Sequence, residues 1–82
     1  MRHLGNWRER KKAESECQRY THESPPEEFW NKPGIPTCVI QKAKCQDHPS
    51  PKKYVCYRAW VDLDDRSGRL IDIKQWDKER KR

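Results

Sequence analysis

Four cysteines, Cys17, Cys38, Cys45 and Cys56, have the widest choice of chemistry in this chain of 82 residues. Their number admits three disulfide connectivities. Strand reading favours Cys45 with Cys56 as a cross-strand pair, leaving Cys17 and Cys38 to tie a helix to a sheet. As thiolates, Cys38, Cys45 and Cys56 together with His48 make an alternative zinc set. Structural zinc prefers close-spaced ligand pairs on tight knuckles, and here only Cys45-x-x-His48 has such a spacing. The third alternative is plain buried thiols. Spacing alone leaves all three open.

Catalytic arrangements are not visible. Cys45 and His48 have the types of a nucleophile and its base, but so close to a double-proline loop, with no evident orienting acid or pocket, they read as structural. Gly5, Gly34 and Gly68 are too scattered to form a phosphate-cradling loop, and neither a His-Glu-x-x-His helix nor a glycine-flanked serine occurs. Asp62, Asp64, Asp65 and Asp72 could recruit a divalent cation, yet Arg66 and Arg69 lie among them and a solvated turn explains the cluster. The expectation is a non-enzymatic protein with no cofactor and no small-molecule substrate.

Binding chemistry is better represented. Alternation puts Tyr54, Arg58 and Trp60 on one face of a strand, with Lys74 and Trp76 on the matching face of the next. Rings interleaved with cations can stack bases and neutralise phosphates. Arg8, Arg10, Lys11 and Lys12 near the start, and Lys78 to Arg82 at the end, add candidate phosphate contacts that position without reading sequence. Two other readings compete: the tryptophans are core, with Arg58 and Lys74 lying along their rings, or they are hot spots for a protein partner.

The elements that would position these groups follow from pattern. Asn6 and Glu9 have capping-box spacing, and Ala13, Cys17 and Tyr20 form a narrow apolar stripe, which predicts a helix over residues 6–20. Residues 21–36 read as a proline-rich connector with one helical turn, opened by Ser24-Pro25-Pro26-Glu27 and presenting Phe29 and Trp30 inward as a plug. Thr37–Gln46, Lys53–Leu63 and Arg69–Trp76 then alternate as three strands of an antiparallel meander spanning residues 37–76. Arg66-Ser67-Gly68 would close the second hairpin with Gly68 left-handed, setting Leu63 opposite Ile71 and Val61 opposite Ile73. Placing Cys45 opposite Cys56 would set Ile40 opposite Val61. Residues 77–82 are left as a basic tail. The fold expected is one small α+β domain: helix, connector and three-stranded sheet.

Composition bounds the rest. Valine, isoleucine, leucine and phenylalanine number 11, whereas 39% of residues are charged, so the core is small and needs a staple or a partner. The net charge of +6 is uneven: residues 1–12 carry +4, 13–31 carry −4 and 32–60 carry +5. That distribution suits a polyanionic partner, although a well-solvated surface gives the same sum. No apolar run has the length of a membrane span or a leader, so a cytoplasmic location away from membranes is expected. The leading functional expectation is a module for RNA or single-stranded DNA. The others are an accessory subunit or inhibitor docking on a larger protein assembly, and a disulfide-stapled extracellular ligand.

Overall fold

The computed structural model describes residues 1–45 and 54–80. In chain order its elements are β1 (Arg2–Trp7), α1 (Arg10–Gln18), β2 (Thr37–Lys44), β3 (Val55–Asp62), β4 (Leu70–Asp72) and α2 (Ile73–Arg80). They make an α+β arrangement with a four-stranded mixed sheet in the order β1-β3-β2-β4. β3 pairs antiparallel with β1 and β2, and β4 joins β2 in parallel.

Several expectations need correction. Residues 6–20 are not one helix: Asn6 and Trp7 end a strand, and α1 starts at Arg10 without a side-chain cap. The backbone of β1 finds its hydrogen bonds on β3, a non-local pairing that outweighs the local capping pattern. α1 widens into a π-helical turn over Arg19–Glu23, where Thr21 Oγ1 donates to the Cys17 carbonyl at 2.8 Å. The turn expected in the connector exists as a 3-10 helix, Glu27–Asn31, also without a side-chain cap. Its aromatic pair is split, with Phe29 buried and Trp30 69% exposed.

The meander also fails. After β3 the chain passes the start of β2 and lays β4 along β2's far edge, so Leu63 and Val61 do not face Ile71 and Ile73. Gly68 is left-handed as expected, at φ +68, but its N–H donates to the Ile35 carbonyl at 2.8 Å and closes no hairpin. A buried hydroxyl organises this crossing. Thr37 Oγ1 donates to Asp65 at 2.8 Å, and the Asp65 carboxylate also accepts the Ser67 hydroxyl at 2.7 Å and Arg69 at 2.8 Å. These bonds hold the Asp65 carboxyl well below the ordinary carboxylate range, the Ser67 hydroxyl first among them. Residues 73–80, read as the end of a strand and a tail, are helical instead. Lys81 and Arg82, and residues 46–53 with the expected loop around His48, lie outside the described residues.

Register assigns the two faces of the sheet, since residues directly opposite share a side. On one face stand Arg2, Val61 and Cys38 in a row, and then Gly5, Ala59 and Ile40. The β2–β3 register is two residues from the expected one, with Ile40 opposite Ala59, so parity survives although the partners change. α1 covers this face through Ala13 and Cys17, and Cys17, Phe29, Cys38, Ala59 and Val61 form the core cluster. On the other face His3, Trp60 and Val39 form one row and Asn6, Arg58 and Gln41 the next.

The cysteines pair as Cys17–Cys38 and Cys45–Cys56, with Cα separations of 6.1 and 5.0 Å, inside the usual range for disulfides. This removes the zinc set, because Cys38, Cys45 and Cys56 hold no thiolate to offer, and it equally removes free thiols. Among the described residues, no helix is long and apolar enough to cross a membrane.

Candidate functional site

The aromatic-basic site is brought together in part. Arg58 and Trp60 do share a face of β3, and β1 adds His3 and Asn6 to it across the register. The four line a shallow depression of about 270 Å³. The His3 and Trp60 rings lie 5.4 Å apart at 49°, and His3 Nε2 meets Asn6 Oδ1 at 3.3 Å. Arg58 and Trp60 are half-buried, so each keeps an accessible edge. Among the described residues Arg58 has no acidic partner.

The rest of the expected site lies elsewhere. Lys74 and Trp76 belong to α2 and so cannot sit opposite Trp60 and Arg58 on a neighbouring strand. Trp76 has a structural task. Its Nε1–H donates to Asp62 Oδ2 at 2.8 Å, Arg80 pairs with the same carboxylate, and the Arg80 guanidinium lies 4.5 Å from the Trp76 ring. Asp62 is only 4% exposed and also accepts the backbone N–H of Asp64 at 3.0 Å. A buried carboxylate satisfied in this way docks α2 on the Trp60 side of the sheet.

Two of the four N-terminal cations are answered by acids. Arg10 bonds Glu14 at 2.9 Å and Asp72 at 3.1 Å, and Lys12 approaches Glu9 at 3.8 Å. Arg8 lies 4.2 Å over the ring of Tyr54, and neither residue lines the Trp60 depression. Lys11 is exposed on α1 with no acidic partner among the described residues. A continuous polycationic stripe along the helix is therefore not formed.

A second surface was not anticipated. Trp30, Ile35, Pro25 and Pro36 border an open groove of about 390 Å³ whose inner wall includes Phe29. Ile35 is 39% exposed beside Trp30. The signal was present in the sequence: adjacent residues on a helical turn do not face the same way, so Phe29 and Trp30 cannot both be plugs. The groove's backbone is held from behind. Arg66 donates to the carbonyls of Phe29 and Leu63, and Gly34, at φ +91, lies so close to Arg66 that a Cβ there would stand 2.8 Å from its carbonyl oxygen.

No protein-family model matches this chain, and neither curated proteins nor solved structures give a significant match to it.

Proposed function

We propose that this chain is a disulfide-stapled, non-catalytic binding domain that works in an oxidising compartment and docks on a larger protein. The observation that carries the reading is the pair of bridges, one joining α1 to β2 and one joining the end of β2 to β3. Small domains with meagre cores rely on such staples, and cytosolic thiol buffers keep them reduced. The cytoplasmic expectation rested on the lack of a leader-like run and gives way to an oxidising location. Trp30, Ile35 and Leu70 stand exposed on this rigid frame, and large exposed apolar groups of this kind mark protein contacts. In the test, intact mass of protein from its native source rises by four hydrogens on reduction, two for each bridge. An unchanged mass with four reactive thiols would overturn the proposal.

A second reading keeps RNA or single-stranded DNA as the partner, now at His3, Asn6, Arg58 and Trp60 alone. It is favoured by the uncompensated Arg58 charge next to an accessible indole. Stacking on one ring supplies about 1–3 kcal/mol, which by itself is weak binding. Arg58→Ala with Trp60→Ala should abolish binding to labelled oligonucleotides, and that binding should fall steeply with salt. Oligonucleotide binding that tolerates the double substitution would rule this site out.

A further inference from the structure

We infer that the Trp30 groove is the docking site for a basic protein segment carrying an apolar anchor, an inference that rests on the protein-partner reading above. Shape comes first. Trp30 projects into solvent from a 3-10 helix whose neighbour Phe29 is locked in the core, so the indole is presented from fixed backbone. The hydrogen bonds of Arg66 to Phe29 and Leu63 hold the inner wall without occupying the groove. A preformed wall of this kind lowers the ordering cost of binding. The volume of about 390 Å³ is at the lower end of what small apolar groups fill.

Charge then selects the partner. Between Arg19 and Lys32 the chain has no lysine or arginine, whereas Glu23, Glu27 and Glu28 all fall there. Glu28 is taken by Arg2, and Lys32, the nearest cation on the groove wall, is taken by Asp64 at 3.2 Å. Glu23 and Glu27 are exposed and have no cationic partner among the described residues. The most exposed tryptophan of a chain with net charge +6 thus sits in its acidic stretch. The groove wall itself carries Lys32 and His22 and no carboxylate. The selectivity therefore comes from Glu27, three residues before Trp30 and on the same side of the 3-10 helix, and from Glu23, next to His22. Lysine or arginine on either side of a leucine-like anchor would be steered in and held.

The probe is a set of labelled peptides of about ten residues, an extended segment long enough to cross the groove. Each has a central Leu-Leu flanked by Lys and Arg, by Asp and Glu, or by Ser, and binding is read as fluorescence anisotropy. The Lys/Arg peptide should bind saturably and the other two at least about tenfold more weakly. Trp30→Ala should weaken it about tenfold to thirtyfold, as truncation of an anchoring aromatic does. Glu23→Lys with Glu27→Lys should weaken it about tenfold with Trp30 intact, and Arg58→Ala should leave it unchanged. Lys42→Ala, on an exposed position of β2 outside both depressions, is the neutral control, and circular dichroism of each variant checks that the fold is kept. Equal binding of all three peptides, or binding that ignores both groove variants, would overturn the inference. Binding by none of them, in protein whose mass shows both bridges, would sink the groove and leave the stapled-domain reading standing. Four free thiols would sink the reading beneath both.

Discussion

At the scale of single residues, the fold depends on two aspartates that the sequence presents as part of one acidic turn. Asp62 is buried and anchors α2, while Asp65 gathers Thr37, Ser67 and Arg69 and so fixes where β4 begins. Only Asp64 and Asp72 behave as the surface charges first expected, pairing with Lys32 and Arg10. The depressed pKa of Asp65 has a definite consequence for stability. Above the unfolded value of about 3.9 the group is ionised in both states and its contribution is complete. As pH falls below that, the unfolded chain takes up the proton first, so stability drops as pH descends toward the lower folded value. Asp65→Asn should therefore cost about 1–2 kcal/mol near neutrality, since hydrogen bonds to a charged acceptor are lost. The gap from the wild type should narrow at about pH 3, below the unfolded carboxyl value. Urea midpoints of both proteins at the two pH values make the comparison, in which the other carboxylates cancel. A gap independent of pH would show that Asp65 acts through geometry alone.

At the scale of elements, the sequence was legible where one face of an element is buried locally and opaque where partners lie far along the chain. The stripe Ala13 and Cys17 correctly marked the inner face of α1. The alternation of β2 and β3 was equally clear, and even a register error of two residues preserved the faces on which Arg58 and Trp60 stand. β1 was missed because Asn6 and Glu9 have capping-box spacing and nothing local reveals that β3 lies alongside. The segment from Leu70 to Trp76 misled for a different reason. Leu70, Ile71 and Ile73 suit a strand, but Ile73, Trp76 and Arg80 also fall on one helical face, and the bond from Trp76 to Asp62 decides for the helix. A backbone test separates the two. Lys78 is exposed and has no acidic partner among the described residues, so Lys78→Pro acts through the main chain, where proline in a helix costs about 3 kcal/mol. Helical circular dichroism should fall and amide exchange at Ile71 and Val39 should quicken, with both disulfides still formed. No change in either signal would mean that residues 73–80 are not a helix docked on the sheet.

At the scale of the whole molecule, a chain with 11 large aliphatic and phenylalanine residues stays folded because its two bridges limit the unfolded state. The bridges are not equivalent. Cys17–Cys38 spans 21 residues and Cys45–Cys56 spans 11. Loop entropy alone gives each about 3 kcal/mol, with a few tenths more for the longer. Packing widens the difference, although Cys45 is buried too. Cys17 and Cys38 belong to the central cluster with Phe29, Ala59 and Val61, whereas Cys45 and Cys56 close the far end of β2 and β3, outside that cluster. Replacing Cys17 and Cys38 by alanine removes two packed sulfur atoms as well as the cross-link, so the loss should exceed that from replacing Cys45 and Cys56 by about 1–2 kcal/mol. Because a small domain has only about 5–15 kcal/mol to lose, the first variant should be largely unfolded at physiological temperature and the second should remain folded with a lowered urea midpoint. Thermal and urea unfolding of the two double variants test this order. The reverse order would place the indispensable constraint at the β2–β3 end and make α1 a dispensable cover.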